Sequence, residues 1–280
     1  MRYLLILLFF PVGQGLQVSA QTQSVIDSFR LYGDVKITLD KPLHFSAKKT
    51  IITFFALPNG NSTEQTMGKK MTPGDDWHFD IQHIRAQTAF VRKQIKENFV
   101  VIYLENKYRS WPLWKKNHPS FSLEIPHIID SITSLIPYEH KIIYLNGHSG
   151  GGSFIFGYLD GVKVIPATVE RISFIDSNYG YDSSYYDKLK YWLIHNKRST
   201  LTVFAYNDSV ALYDGKPVVS EKGGTWYKSR LLLRELSEDF VIRNSENDSL
   251  LIYESRNHKI GRILAFSSLF RHFISTIRVR

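Results

Sequence analysis

The sequence predicts an α/β fold: a mostly parallel central sheet with helices on both faces. Short β-rich runs alternate with longer stretches of helical spacing, the pattern of strand–helix–strand units. The run 50–57 is nearly continuous in apolar residues, as a strand covered on both faces must be. No internal repeat or low-complexity linker divides the 280 residues, so a single α/β domain is expected over residues 21–280.

The first twenty residues stand apart. Arg2 precedes an apolar core over 3–10, and Val18, Ser19 and Ala20 supply a small-residue end. That is the organisation of a secretory signal peptide, with a buried first strand or helix as the competing reading. Residues 1–20 are therefore set aside from the fold. Alternation at 35–39 predicts an early strand, and 50–57 the next, which stops at the loop residues Pro58, Asn59, Gly60 and Asn61. A helix is expected over 81–97, a strand over 99–104, a loop carrying Trp111, Pro112 and Trp114, and a helix around 125–135. The strand 141–145 runs straight into Gly147, and a helix over 150–159 follows. A strand over 171–175 ends at Asp176, a helix covers 187–195, and a strand over 201–206 ends at Asn207 and Asp208. A helix over 226–236 leads to 250–253, expected to be the last strand, ending near His258, with a terminal helix over 260–277.

Composition excludes some classes of function. The chain lacks cysteine, so neither disulfides nor a cysteine-linked lipid anchor is available, which suits a bacterial periplasm or exterior. The net charge of +9 is scattered, apart from Arg271, Arg278 and Arg280 near the end, so a solvated surface is expected and no nucleic-acid partner. No later apolar run reaches the ~18 residues of a membrane span, so no stable membrane anchor is expected. His78, Asp80 and His83 lie close together without a recognisable metal-ligand spacing, so neither metal nor cofactor is expected.

The chemistry concentrates on Gly147, His148, Ser149, Gly150 and Gly151, a G-x-S-x-G pentapeptide between an apolar strand and a helix. In that context it predicts a nucleophile elbow, a sharp turn presenting the serine hydroxyl above the helix N-terminus. A serine nucleophile needs a base and an acid, in the chain order Ser, Asp or Glu, His. His195, His258 and His272 are the histidines after Ser149. His258 is the expected base because it follows what is taken as the last strand, whereas His195 and His272 fall within helices. Asp208 is the expected acid, with Asp176 the alternative. The oxyanion hole would take one N–H from Gly150 and another from Asn59, Gly60 or Asn61. Segments 110–114, 177–181 and 220–226 are candidate pocket walls, with Trp111, Trp114, His148, Tyr179 and Trp226 as candidate substrate-binding residues; the aromatics among them are equally suited to the core.

The strand, elbow and helix, followed by the aspartates and the late histidine, resemble the α/β-hydrolase superfamily over most of residues 45–280. Residues 56–61, 147–153 and 223–226 are similar to an exported bacterial branch of serine hydrolases and esterases. The resemblance implies the α/β-hydrolase fold with an eight-stranded sheet, and ester or amide hydrolysis through an acyl-enzyme on a Ser, His and Asp triad. Two features depart from it. The usual His-Gly oxyanion motif is replaced by residues 58–61, and few residues precede the first long strand, implying a shortened or rearranged sheet edge. The expected function is that of a secreted or periplasmic carboxylesterase. Its substrate would be a small molecule, an acylated glycan or a peptide. A peptidase or amidase on the same triad and an inactive carbohydrate-binding relative are the alternatives.

Overall fold

The structure, a computed structural model, describes residues 24–45, 49–137, 140–247, 250–255 and 260–266. The expected leader, residues 1–20, lies outside them. β1 (Ser24–Leu31) and β2 (Val35–Pro42) form an antiparallel hairpin whose turn carries positive φ at Tyr32 and Gly33. β3 (Thr50–Ala56) is buried along its whole length. Ile52, Phe54 and Ala56 enter one hydrophobic cluster, while Ile51 and Phe55 enter a second on the opposite face. That two-sided burial is the physical origin of the unbroken apolar run.

α1 (Thr63–Met67), α2 (Ile84–Gln94) and β4 (Asn98–Asn106) follow, then α3 (Trp111–Asn117) and α4 (Phe121–Leu135). β5 (Lys141–His148) leads into α5 (Gly152–Gly161), β6 (Val169–Ile175), α6 (Tyr186–His195) and β7 (Thr200–Tyr206). The two-residue strands β8 (Leu212–Tyr213) and β9 (Lys216–Pro217) form a small separate ribbon. α7 (Gly224–Asp239), β10 (Ile242–Glu246), β11 (Leu250–Ser255) and β12 (Ile260–Phe266) complete the described chain.

Ten strands form one sheet in the order β1-β2-β4-β3-β5-β6-β7-β12-β11-β10. β4, β3, β5, β6, β7 and β12 are mutually parallel; β2 is antiparallel to β4 and β11 to β12. The register aligns the strand ends. Ala56 lies beside Gly147, His148 beside Ile175, and Tyr206 beside Phe266, so β3, β5, β6, β7 and β12 all finish at one edge. Thr50, Lys141, Thr200 and Ile260 mark the other.

Three expectations are corrected. The edge before β3 is complete, because β1 and β2 supply the two strands that a shortened sheet would lack. Residues 110–114 are not a loop: Ser110 caps α3 by accepting from the Leu113 N–H, and Pro112 sits in the first turn, where its missing N–H costs nothing. Residues 260–266, assigned to a terminal helix, are β12, and this strand rather than β11 pairs in parallel with β7.

Candidate active site

Ser149 occupies the left-handed region at φ +49°, immediately after β5 and one 3-10 turn before α5. A non-glycine residue there is strained, and the strain turns the chain sharply enough to lift the hydroxyl out of the sheet. The surrounding glycines are required by close approach. A Cβ on Gly150 would overlap the Asn59 side chain, and one on Gly152 the Ser177 carbonyl. Ser177 ties the neighbouring strand ends by donating from Oγ to the Gly147 carbonyl at 2.7 Å.

The loop after β3 discriminates among the three oxyanion candidates. Gly60 N–H donates to the Arg109 carbonyl at 2.8 Å, and Asn61 N–H to the Pro58 carbonyl at 3.4 Å. Asn61 is also buried, with its side chain turned to Gln82. Asn59 is exposed, and its backbone N–H has no hydrogen bond among the described residues. Its side chain lies against Gly150, so Asn59 and Gly150 are the two positions brought together.

Both candidate acids stand at the same edge and share one partner. Asp208 Oδ2 accepts from Thr225 N–H at 2.7 Å, and Oδ1 from Trp226 N–H at 3.2 Å, which seats the carboxylate on the first turn of α7. Gly224 permits that seat: φ is +78° and a Cβ would collide with both carboxylate oxygens. Thr225 Oγ1 donates to Asp176 Oδ1, which also accepts from Tyr206 N–H at 3.1 Å. Burial pushes the Asp176 carboxyl above the usual range, against the pull of the Thr225 and Tyr206 hydrogen bonds.

Of the expected substrate contacts, Trp111 and Trp114 are corrected. They are 1% and 0% exposed and pack edge to face at 5.3 Å. Trp111 Nε1–H donates to the Leu104 carbonyl, and Trp114 stacks on His118. They anchor α3 to the sheet and offer no face to a ligand. Segment 177–181 is mostly core as well: Ser177, Asn178 and Tyr181 are buried, whereas Tyr179 is exposed. Trp226 is half-buried, with Arg230 over its ring. His78 and His83 pair with Asp76 and Asp80 respectively.

A residue not singled out by sequence, Gln82, joins the site. It is buried, takes the Asn61 Nδ2–H on Oε1 at 3.4 Å, and places Nε2 2.7 Å from His148 Nδ1. Burial pushes His148 down to about 4, so its ring is neutral near pH 7. No sequence spacing marks this pair, because 66 positions separate them.

His258 and His272 lie outside the described residues, but the flanking strands are described. Tyr253 pairs with Ile263 and Leu250 with Phe266, so β11 runs away from the Ser149 edge. Ile260 pairs with Leu201, near the start of β7. The residues bracketing 256–259 therefore stand at the far edge, while Phe266 brings the chain back beside Tyr206.

The strand order, the antiparallel β2 and the elbow at the end of β5 define the α/β-hydrolase fold. No known family and no curated protein matches the sequence. Among solved structures, the chain is similar to an acetyl xylan esterase from Aspergillus awamori, at 9% identity over 88% of this chain and 93% of that one, with a TM-score of 0.48. It is also similar to the feruloyl esterase module from Clostridium thermocellum, at 10% identity over 79% and 75% of the two chains, TM-score 0.42. Poly(aspartic acid) hydrolase-1 from Sphingomonas sp. KT-1 matches at 10% identity over 77% and 85%, TM-score 0.42. These are likenesses of fold and assign no residue a role. Among the described residues, no helix is long and apolar enough to cross a membrane.

Proposed function

We propose that the protein is an exported serine hydrolase that cleaves a carboxylic ester through an acyl-enzyme on Ser149. The observation that carries this reading is the strained Ser149 at the end of β5, facing a loop whose Asn59 lies against Gly150. A base removes the Ser149 proton as Oγ attacks the ester carbonyl. The N–H groups of Gly150 and Asn59 receive the oxyanion, the alcohol leaves with the proton, and water releases the acyl group by the same route. Export rests on the leader-like residues 1–20.

Asp208 is the proposed acid. It follows the strand that adjoins β12, and it sits at a helix N-terminus, where negative charge is stabilised. Asp176 is one strand further away and is pushed toward its neutral form. The proposed base is His272 rather than His258. A strand rises about 3.3 Å per residue, so Ile260 and Phe266 stand about 20 Å apart. Two peptide units from Ile260 reach at most about 8 Å, so the connection carrying position 258 is anchored too far from Ser149. Phe266 stands beside Tyr206 at the Ser149 edge, and His272 follows it by six positions in sequence.

The test is hydrolysis of short-chain p-nitrophenyl esters by the wild type and Ser149→Ala, with fluorophosphonate labelling of the intact chain. Wild-type turnover and labelling, both lost in Ser149→Ala, are expected. A wild type that hydrolyses no ester and leaves Ser149 unlabelled overturns the reading.

A further inference from the structure

His148 stands next to the nucleophile, and its ring is held from one side only. Gln82 Nε2 lies 2.7 Å from Nδ1, and Nε2 of the ring makes no hydrogen bond with a described residue. The direction of the Gln82–His148 bond follows from its neighbours. As the two amides are oriented, Asn61 Nδ2 donates to the Gln82 oxygen at 3.4 Å. The Gln82 amide nitrogen, a donor, is left to face Nδ1. A ring nitrogen that accepts carries no proton, so the single proton of a neutral imidazole resides on Nε2. Burial supports the neutral state.

We propose that Gln82 is a positioning residue that locks His148 as the Nε2–H tautomer, giving the site a fixed neutral donor for an uncharged oxygen of the substrate, such as a hydroxyl, ether or carbonyl oxygen near the scissile ester. The assignment rests on Ser149 being the reactive centre. A neutral donor in a partly dry site rewards an acceptor that matches it, and an alkyl group at the same place leaves the N–H unpaired. Discrimination should therefore run between substrates of equal size that differ in one oxygen. Gln82 meets the ring at Nδ1 and would act only through His148. Asn61 gains a role in the same chain: it orients the Gln82 amide rather than the oxyanion.

Two measurements test this. Nitrogen-15 spectra of the full chain, with the His148 signals assigned by their loss in His148→Phe, read the tautomer directly. Protonated Nε2 with an unprotonated Nδ1 is expected in the wild type, and a mixed or Nδ1–H ring in Gln82→Met. A wild-type ring protonated at Nδ1 overturns the proposal. Kinetics then compare two isosteric pairs: p-nitrophenyl butyrate with the methoxyacetate, and butyl acetate with 2-methoxyethyl acetate. In one pair, the wild-type KM preference for the ether-bearing ester should shrink about five- to tenfold in both Gln82→Met and His148→Phe, with no further loss in the double variant. Equal preferences in all three proteins overturn the donor role. Failure of the hydrolase reading looks different: the wild type turns over nothing and Ser149 is not labelled, while the tautomer measurement still reports on Gln82.

Discussion

Ser149 and His148 are neighbours under opposite demands. Ser149 must leave the strand, and it does so by entering the left-handed region. His148 is still part of β5, half-buried, and its surroundings hold the ring uncharged. The depressed histidine makes stability depend on pH in a defined direction. Its pKa falls from 6.5 in an ordinary setting to about 4 in the fold. Above pH 6.5 both folded and unfolded chains hold the ring neutral, and its contribution is complete. As pH falls from 6.5 toward 4, the unfolded chain takes up a proton that the folded chain refuses, and stability is lost. The full shift corresponds to about 3 kcal/mol. Unfolding free energies of the wild type and His148→Phe, measured by urea titration between pH 8 and 4, should differ by a constant above 6.5 and converge or cross below it. A difference independent of pH would show that the ring is not held neutral. Ser149 and the two aspartates were legible in the sequence because an elbow and a strand end have local signatures. Gln82 had none, since it acts by touching a residue 66 positions along the chain.

Among the elements, α2 shows how a helix with little apolar surface can be held. Its buried residues are Thr88, Val91 and Arg92. Arg92 therefore carries much of the docking: Nη1 pairs with Asp40 Oδ1 at 2.7 Å, Nη2 donates to the Asp40 carbonyl at 2.7 Å, and Nε to the Phe99 carbonyl at 2.9 Å. One side chain thus joins β2, β4 and α2. Burial pushes the Asp40 carboxyl up despite the attraction of Arg92, so the pair is retained against a desolvation cost. Removing one member should be far worse than the pair is good. Arg92→Leu leaves a buried carboxylate and two carbonyls without their donor, and should cost about 3–5 kcal/mol in unfolding free energy. A loss below about 1 kcal/mol in urea titration would show that water replaces the guanidinium. The elements that sequence misjudged fail for related reasons. In residues 260–266, Ile, Leu, Ala and Phe are compatible with either a short buried strand or a helix, and only pairing with β7 decides. Trp111 and Trp114 fall at positions i and i+3 of α3, which puts both on the face toward the core.

At the scale of the whole molecule, the sheet is a ruler with two ends, and which end a residue occupies decides whether it can take part in the chemistry. The loop after β3, Ser149, Asp176 and Asp208 all follow strands that finish together, so one edge gathers residues spread over 150 positions. Ser149, Asp176 and Asp208 fall at that edge, and the strands before them, β5, β6 and β7, were read from sequence. The base depended on which strand was last. Taking β11 as the final strand puts His258 just beyond it. With β12 in the sheet, the described residues on either side of 256–259 stand at the far edge and Phe266 at the near one, and His272 is the proposed base on that ground. The consequence is a paired prediction. His272→Ala should lower kcat/KM for p-nitrophenyl esters at least about 1,000-fold and slow fluorophosphonate labelling of Ser149, because the hydroxyl loses its proton acceptor. His258→Ala should keep kcat/KM within about twofold of wild type, since a substitution outside the site removes no transition-state contact. Thermal unfolding of both variants distinguishes lost chemistry from lost structure. The reverse pattern, an inert His258→Ala and an active His272→Ala, would mean that the chain closes on Ser149 by a route that the β11–β12 register does not allow.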